Sequence, residues 1–312
     1  KLGREKYRYL PFAGETIYSD AQYVPNDTTD QRAWYNSLYP GEKAYAETVF
    51  ESSPLDRVLE QGAPGRPWQP YSAQDPQSGH TVKFGYLSNS AHEVLLWSVS
   101  GDMLVNAGGD AYNSFNYYPA NTLFKVITKD ENWTETNDSL HTTEEFKDLQ
   151  GNIVLKRTYV ENGASVDVLN TYYVYDDLNL LRYVLTPKAV AGITGSMDQL
   201  SSTDNIIKGL CYYYKYDARK RMTIKQLPGA EPVYMVYDRR DRLAAMQDGK
   251  MRGEDNSWLI TKYDMLNRPV ITGKYQPGSA LNQSQMQQAV NDYYNNPSNL
   301  YFHKKDWLKN LK

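Results

Sequence analysis

Short runs of alternating apolar and polar residues recur along the second half of the chain, in pairs separated by a turn sequence. Aromatic and β-branched residues dominate the first run of each pair, as in half-buried β-strands. In the second run, residues such as Leu243 and Ala245 fall on one face. Each pair therefore predicts a β-hairpin with one apolar side, which only a neighbouring unit can cover. The first runs of the four pairs are 169–174, 211–215, 233–236 and 258–262.

The turns between the paired runs share a phrase: Tyr-Asp, two variable residues, a turn-tolerant residue and usually Arg. The copies begin at Tyr175, Tyr216, Tyr237 and Tyr263, so they stand 41, 21 and 26 residues apart. The first gap would fit two repeats with a degenerate copy or a long loop between them. Self-similarity at such a period is typical of an array of supersecondary units.

The Asp of each copy predicts a turn, because its carboxylate can accept hydrogen bonds from backbone N–H groups just downstream. Asn179, Asp241 and Asn267 stand where the reversing chain can need positive φ, which Asn and Asp tolerate. Lys220 is the exception at this position. We assign a structural role to the repeat residues Tyr175, Asp176, Asn179, Tyr216, Asp217, Arg221, Tyr237, Asp238, Arg242, Tyr263, Asp264, Asn267 and Arg268.

Two interpretations of the recurrent arginines differ in function. Arg221, Arg242 and Arg268 could form a row of cations that binds an acidic ligand. Alternatively, each could pair with the Asp or stack on the Tyr of an adjacent repeat. We favour the second, because Tyr, Asp and Arg recur as a set. The same recurrence argues against catalysis by the aspartates, since a catalytic group has no reason to be copied in every repeat.

The phrase Tyr-Asp-x-x-(Gly/Asn)-Arg resembles the repeat of the RHS/YD-repeat family, which includes bacterial Rhs polymorphic toxins, the cocoon-forming subunits of Tc toxins and animal teneurins. The resemblance is strong over 141–275 and looser upstream. There, Leu2–Glu5 resembles the tail of a repeat, Phe50–Val58 a copy with a longer turn, and Asp148–Ile153 a copy without its Tyr. The sequence of 1–130 is similar to the N-terminal region of large RHS-repeat proteins of Bacteroidetes.

The resemblance implies a fragment of a larger protein, secreted or at the cell surface, whose sheet forms part of a shell or scaffold. That scaffold would enclose or present a C-terminal effector, so the partners would be the effector and other repeats of the parent chain. The family's core segment with its aspartate autoprotease, and its variable C-terminal toxin, have no recognisable counterpart in this sequence. A second function stays open: a cell-surface module that binds glycans or mediates adhesion through exposed Tyr and Trp.

The predicted fold class is all-β, an array of antiparallel β-hairpins in a spiralling, shell-like or solenoid sheet, with one or two short peripheral helices. Residues 1–140 are predicted to form a divergent β-rich region with degenerate repeats. Residues 141–275 are predicted to form the hairpin array, and residues 276–312 are predicted to form a helical or irregular tail. Between the first two copies, residues 188–208 have no period and are predicted to leave the array.

Outside the repeats, the pattern predicts three further elements. Asp30 can cap a helix over 31–39. Ser284 can likewise cap a helix over 284–294. A strand is expected over 93–100.

Composition and charge narrow the function classes. A net charge of −3 argues against binding to nucleic acid or to anionic membranes. The sequence contains no run of about 18 apolar residues, so it predicts no membrane-spanning helix. Tyr is present 28 times against 7 for Phe, which suits half-exposed sheet faces where the ring packs and the hydroxyl reaches a partner.

The sequence offers little for catalysis. Its four histidines lie far apart and near no second ligand at metal-binding spacing. The single cysteine, Cys211, lies in a Tyr-rich strand where a packed thiol is expected. The acid pairs Asp176/Asp177 and Glu144/Glu145 could serve as acid and base in principle, yet Asp176 belongs to the repeat. We therefore predict no enzymatic activity, no cofactor and no metal site.

Overall fold

The structure is a computed structural model, and it describes residues 3–12, 27–106, 115–137, 139–193 and 199–296. Strands predominate within these ranges, and the helices are short. In chain order the elements are β1 Tyr7–Tyr9, α1 Asp27–Leu38, β2 Tyr45–Phe50, β3 Val58–Gly62, β4 Val82–Ser88, β5 Ser98–Ser100, β6 Met103–Val105, β7 Phe124–Lys129, β8 Thr142–Lys147, β9 Ile153–Asn162, β10 Ser165–Tyr175, β11 Leu181–Leu185, α2 Pro187–Gly192, β12 Gln199–Ser201, α3 Asn205–Leu210, β13 Cys211–Tyr216, β14 Met222–Gln226, β15 Val233–Tyr237, β16 Leu243–Gln247, α4 Gly249–Glu254, β17 Trp258–Tyr263, β18 Pro269–Tyr275 and α5 Gln283–Asn295.

The chain divides into two compact units, residues 1–94 with 118–170 and residues 95–117 with 171–312. In the first unit the strands pair in the order β1-β2-β3-β4-β7-β8-β9. In the second, the end of β10 pairs with β11, and the order continues β13-β14-β15-β16-β17-β18. These pairs are antiparallel, and a separate three-stranded sheet has the order β12-β6-β5. The predicted all-β class of antiparallel hairpins with short helices is confirmed.

Each repeat is a hairpin with an irregularity next to its turn. In the third copy the register shifts between Val236 and Tyr237, so that Tyr237 lies opposite Leu243. A bulge of this kind interrupts the ladder and increases the local twist of the strand. The same shift occurs before three further residues, Tyr175, Tyr216 and Tyr263.

Pairing extends to the turn within a hairpin but is short between hairpins. β15 and β16 are paired as far as Tyr237, beside their turn. In contrast, β14 pairs with β15 only at Ile224 and Lys225, and β16 pairs with β17 only at Ala245 and Met246. Neighbouring hairpins of this unit therefore separate towards their turns, and side chains must join them there.

Helix α5 covers part of the second unit with an apolar face. Its Met286, Val290 and Tyr294 are buried in one cluster with Val236 and the fully buried Trp258. The first part of the predicted tail thus packs on the sheet. The remainder of that tail, from residue 297, lies outside the described residues.

Two glutamines of α5 bind the sheet backbone where the pairing between β14 and β15 stops. Gln283 Nε2 donates to the carbonyl oxygens of Thr223 and Met235, at 2.6 and 3.1 Å. Gln287 accepts a hydrogen bond from the Tyr237 N–H at 3.1 Å and donates to the Tyr237 carbonyl at 2.7 Å. Buried backbone groups need such partners, so α5 replaces ladder bonds that the separated hairpins do not make.

The first unit holds a network of four charges beside the fully buried ring of Phe146. Lys125 Nζ lies 2.9 Å from Glu93 and 3.0 Å from Glu144. Arg157 Nη1 lies 3.4 Å from Glu93 and 3.0 Å from Glu144. Each carboxylate therefore faces two cations, which offsets the cost of removing these charges from water.

Two predicted helix starts are wrong. Helix α1 begins at Asp27, so Asp30 lies inside the helix and does not cap it. Helix α5 is capped by Asn282 and not by Ser284. Asn282 Oδ1 accepts from the Gln285 N–H, and Gln285 Oε1 accepts from the Asn282 N–H. This reciprocal capping box satisfies two backbone donors at once, which favours the earlier start.

The strand predicted over 93–100 is present only from Ser98 to Ser100. Val94 is fully buried, and its carbonyl accepts from the Tyr118 N–H at 2.9 Å. Glu93 belongs to the network of four charges. Burial, ionic contacts and an isolated antiparallel bridge between Leu95 and Tyr117 therefore hold this stretch in place of a continuous strand.

The segment predicted to leave the array, 188–208, contains α2, β12 and α3 among its described residues. The hydroxyl of Thr186 accepts from the Ala189 N–H and caps α2. Leu200 and Ile207 are buried. Because each element has six residues or fewer, the sequence shows no helical period there.

Candidate functional site

The Asp of each repeat is bound by its own turn. The Asp238 N–H donates to the Arg242 carbonyl at 2.9 Å. Asp238 Oδ1 accepts from the N–H groups of Arg240 and Arg242, at 2.8 and 3.0 Å. The backbone therefore closes the turn and the carboxylate cross-links it. The same three bonds occur at Asp176, Asp217 and Asp264.

The residue three places after each Asp has a left-handed backbone. Its φ is +64° at Asn179, +62° at Asp241 and +62° at Asn267. Lys220 has φ +61° although lysine does not favour this conformation. The Asp217 carboxylate makes the same backbone bonds in that turn, so the turn forms despite the lysine.

The Arg of a repeat binds the Asp of the same repeat. The Nε–Oδ2 distances are 2.8 Å for Arg221–Asp217, 2.7 Å for Arg242–Asp238 and 2.7 Å for Arg268–Asp264. The surroundings of the three cations differ. The side-chain exposure is 18% for Arg221, 8% for Arg242 and 71% for Arg268.

These contacts fix the charge of the carboxylates. Burial alone would raise the pKa of Asp217, but hydrogen bonds from the Arg221 side chain and from the Arg221 and Arg219 backbone outweigh it, and the pKa is lowered. At Asp264 the hydrogen bond from the Arg268 backbone is the largest cause of a lowered pKa. Both carboxylates are therefore ionised near neutral pH and cannot donate a proton there.

Each internal arginine also reaches the turn of the following repeat. Arg221 Nη1 donates to the Asp238 carbonyl at 3.3 Å and to Asp241 Oδ1 at 2.8 Å. In the next repeat, Arg242 Nη1 donates to the Asp264 carbonyl at 3.4 Å and to Asn267 Oδ1 at 3.3 Å. One guanidinium therefore joins two turns, and the left-handed residue supplies one of its acceptors.

The tyrosine ring of the following repeat packs against the same guanidinium. Arg221 Cζ lies 4.7 Å from the centre of the Tyr237 ring, and Arg242 Cζ lies 4.8 Å from that of Tyr263. This geometry is a cation–π contact. The contact lies where neighbouring hairpins are not joined by strand pairing.

The tyrosine hydroxyl closes the junction with a hydrogen bond. Tyr237 donates to the Met222 carbonyl at 2.7 Å, and Tyr263 donates to the Leu243 carbonyl at 2.9 Å. In both cases the acceptor is the residue after the arginine. Burial raises the pKa of both tyrosines, so the hydroxyls stay protonated and can donate. We call this set of contacts, from Arg to the next turn and the next Tyr, the repeat clamp.

The first copy departs from this scheme because Leu180 stands in the arginine position. Arg182 Nη1 reaches Asp176 Oδ2 instead, at 3.4 Å. The same buried guanidinium donates to Asp102 Oδ1 at 2.9 Å and to the Tyr214 carbonyl at 3.0 Å. A buried arginine two residues later thus replaces the missing one.

The two earlier repeat tyrosines end their strands at bulges. Tyr175 lies opposite Leu181, and Tyr216 lies opposite Met222. Both rings are half-buried. The structure therefore places all of the predicted repeat residues in or beside the four turns.

Asp102 is not among the site residues predicted from the sequence. It lies at the tip of the β5–β6 hairpin, where its carboxylate binds Arg182 and Lys215. The Tyr183 hydroxyl donates to the Asp102 carbonyl at 2.5 Å. Burial acts to raise the pKa of Asp102, but Lys215 and Arg182 lower it overall. The Gly-Asp dipeptide in the sequence carries no signal of these partners.

The arginine–tyrosine part of the clamp also occurs in the first unit, without the Tyr-Asp phrase. Glu51 takes the place of the Asp and binds Arg57 through Oε1 at 2.9 Å and Oε2 at 2.8 Å. Arg57 Cζ lies 4.4 Å from the Tyr86 ring, and the Tyr86 hydroxyl donates to the Val58 carbonyl at 2.8 Å. The hydrogen bonds from Arg57 lower the pKa of Glu51 to about 2. Tyr86 was missed because no Asp follows it.

The two other loose copies have parts of the same geometry. Arg4 Nη1 donates to the Asp56 carbonyl at 2.7 Å, and Arg4 Cζ lies 5.8 Å from the Phe50 ring. Asp148 Oδ1 accepts from the Asn152 N–H at 2.8 Å, as in the complete turns. Parts of the clamp geometry therefore also occur where the Tyr-Asp phrase is absent from the sequence.

The remaining candidate chemistry is sparse in the part of the chain that the structure describes. No cluster of three or more His, Cys, Asp or Glu side chains there is arranged to hold a metal ion. Burial raises the pKa of Cys211 to about 12, so its thiol is protonated at neutral pH. None of the described helices has the length and apolar character needed to span a bilayer.

Comparison with known proteins gives one family match and several structural likenesses. A domain of unknown function, DUF6443, matches residues 1–82. No curated protein matches the chain. The structure is similar to TcdB2-TccC3 at 12% identity and a TM-score of 0.40, over 79% of this chain and 12% of that chain. A Photorhabdus luminescens Tc holotoxin pore is similar at 11% identity and a TM-score of 0.40, over 80% and 12% of the two chains. The chain therefore spans about an eighth of these longer proteins. Its membership of the RHS/YD-repeat family and its Bacteroidetes origin stay predictions.

Proposed function

We propose that this chain is a structural β-sheet module whose repeats form part of the wall of a larger protein. In this proposal the wall encloses or presents a C-terminal effector of the parent chain. The module itself catalyses no reaction, and its repeat side chains act on one another. Neighbour-to-neighbour contacts suit such a role, since they let a sheet extend as far as the repeats continue.

The surroundings of Arg242 carry the proposal. Its guanidinium binds Asp238 of its own repeat, Asn267 of the next turn and the ring of Tyr263, and only 8% of the side chain is exposed. A row of arginines that binds an acidic ligand would need accessible guanidinium groups. Arg242 has its donors directed at the neighbouring hairpins, which favours a wall over a ligand site.

The place of an effector is tested on the full parent protein by limited proteolysis. In the native protein, the segment that follows the repeats should resist protease. The variant Asp238→Ala, which weakens a buried clamp, should expose that segment, while Lys250→Gln on α4 should leave it protected, because Lys250 is 78% exposed. Equal protection in Asp238→Ala would contradict enclosure by this wall.

A carbohydrate-binding function has one observation in its favour. Trp68 and Tyr71, between β3 and β4, are 40% and 67% exposed. Exposed rings can stack on sugars, and a glycan array with the purified chain separates the two functions. Saturable binding to one sugar class that is lost in Trp68→Ala or Tyr71→Ala would favour this second function, whereas the wall predicts none.

A further inference from the structure

The hairpin formed by β9 and β10 extends beyond its neighbour in the sheet of the first unit. β8 pairs with β9 as far as Thr158 and no further. Residues 160–168, which we call the β9–β10 tip, are all exposed. Even the valines of the tip are half-exposed, at 48% for Val160 and 51% for Val168. Water therefore reaches the tip, and few packing contacts hold it.

The turn of this hairpin consists of Gly163 and Ala164, because β9 ends at Asn162 and β10 begins at Ser165. Of the two turn residues only Gly163 has a positive φ, +62°. This is the pattern of a type II′ turn, which favours glycine in its first central position. A Cβ atom at Gly163 would meet nothing within 4 Å, so the backbone there is uncrowded.

Asn162, which precedes this glycine, is chemically distinct from the other asparagines. In the sequence it is the only Asn followed by Gly. Its Nδ2 donates to Asp167 Oδ2 at 2.8 Å, so the carboxamide is tied to the opposite strand. Asparagine is a thermolabile residue, and the small, exposed Gly163 leaves its backbone nitrogen accessible to the carboxamide carbon of Asn162.

Two buried asparagines provide a comparison, since each is only 1% exposed. The Asn89 side chain donates to the Pro119 carbonyl and accepts from the Leu123 N–H, both at 2.8 Å. The Asn106 side chain donates to the Leu96 carbonyl at 2.8 Å and accepts from a backbone N–H at 2.7 Å. Both carboxamides are held at both ends, whereas the exposed Asn162 is tied to Asp167.

We propose that Asn162 is a site of spontaneous deamidation and that its conversion opens the β9–β10 tip. The backbone nitrogen of Gly163 attacks Cγ of Asn162. The N–Cγ bond forms, the Cγ–Nδ2 bond breaks, and ammonia leaves with the proton of the Gly163 N–H. Water then adds to one carbonyl of the cyclic imide, which gives aspartate, or to the other, which gives isoaspartate. The only co-reactant is water.

Asp167 acts in opposite directions before and after the conversion. Before it, the bond to Asp167 restrains the carboxamide and slows its approach to the Gly163 nitrogen. Afterwards a carboxylate stands where an N–H donor was, and it faces the carboxylate of Asp167. Like charges that face each other across a strand pair are destabilising. The same pair of positions therefore closes the tip in the new chain and opens it in the converted one.

The rate is measured by incubating the whole chain at mildly alkaline pH and mapping its peptides by mass spectrometry, which detects the replacement of NH by O. We expect conversion at Asn162 while Asn89 and Asn106 stay intact. Asp167→Ala should convert Asn162 several-fold faster. Asp167→Asn keeps an acceptor opposite Asn162 and should convert it at close to the native rate. Asn162→Gln, whose longer side chain does not close a five-membered ring, is the control for the mapping.

The consequence is measured by hydrogen exchange of the amides in 160–168. Asn162→Asp should exchange there several-fold faster than the native chain, and adding Asp167→Asn should restore the native rates. Urea unfolding of Asn162→Asp should match the native chain, since the tip lies outside the packed sheet. The proposal is overturned if Asn162 converts no faster than Asn89, if Asp167→Ala leaves its rate unchanged, or if the tip of Asn162→Asp exchanges as in the native chain. None of these outcomes bears on the repeat clamp, so the wall function is tested separately.

Discussion

Arg221 and Tyr237 belong to different repeats, yet the guanidinium carbon of Arg221 lies 4.7 Å from the centre of the Tyr237 ring. The Tyr237 hydroxyl binds the carbonyl of Met222, which follows Arg221 in the chain. Strand pairing between these hairpins ends at Ile224. The two side chains therefore join the hairpins where the backbone does not.

Removing the carboxylate of Asp238 should destabilise the second unit strongly. Asp238→Ala leaves two backbone N–H groups without their acceptor and the buried Arg242 without its counter-ion. Breaking a buried ion pair in this way costs about 3 kcal/mol or more. Urea unfolding measures the loss, and Asp264→Ala is the matched control, because the exposed Arg268 can be solvated. An equal or larger effect of Asp264→Ala would contradict the role assigned to burial.

Removing one hydroxyl isolates the hydrogen-bonded part of the clamp. Tyr237→Phe keeps the ring over Arg221 but leaves the Met222 carbonyl without its donor. A net cost of about 1 kcal/mol in the free energy of unfolding is expected. Tyr275→Phe on the outer strand, at a half-exposed ring, should change stability little. If both variants unfold at the same urea concentration as the native chain, the hydroxyl bond contributes nothing.

Acid should weaken the first unit through Glu51. Its pKa is about 2 in the folded chain, below the ordinary value of 4.5. A group with a depressed folded pKa contributes stability above its unfolded pKa and loses that contribution as pH falls through the folded pKa. The loss attributable to Glu51 should therefore develop between about pH 4.5 and 2. Glu51→Gln removes this titration, so its stability should depend less on pH in that window, and identical pH profiles would refute the assignment.

Relieving the left-handed lysine should stabilise the second turn. Lys220 has φ +61°, where an L side chain is disfavoured by about 1–2 kcal/mol, and glycine is not. Since glycine also loses more freedom on folding, Lys220→Gly should gain roughly 0.5 kcal/mol net. Ala218→Gly in the same turn, outside the left-handed region, should destabilise instead. In thermal unfolding, Lys220→Gly should raise the Tm relative to the native chain and Ala218→Gly should lower it. Shifts of the same sign would contradict the strain assigned to Lys220.

The local parts of the repeat were predictable, and the contacts between repeats were not. An Asp followed by Asn or Asp three places later predicts a turn. The hydrogen bonds to the Asp carboxylate and the positive φ of the later residue both lie within five residues of sequence. Which neighbour Arg242 touches depends instead on how far two hairpins separate, which no local pattern encodes. Tyr86 shows the same limit. It makes the arginine–tyrosine part of a clamp with Arg57 from 29 residues away, without the Asp that marks the other copies.

The errors outside the repeats have similar causes. Within the strand predicted over 93–100, Glu93 is ion-paired, Val94 is buried and Leu95 makes only an isolated antiparallel bridge to Tyr117, so the alternation there does not mark one continuous strand. The helix caps were misplaced because Asp30 and Ser284 are common capping types. The capping box at Asn282 is visible only when Gln285 is considered with it.

The most direct test of the clamp is a double-mutant cycle between Arg242 and Tyr263, read by native-state hydrogen exchange of the β16 and β17 amides. Arg242→Lys keeps the charge beside Asp238 and removes the planar group, and Tyr263→Leu removes the ring. We predict that each variant lowers the opening free energy of these amides. The double variant should lose about 1 kcal/mol less than the sum of the single losses. Strictly additive losses, or single variants with native exchange rates, would show that these two side chains do not hold the hairpins together.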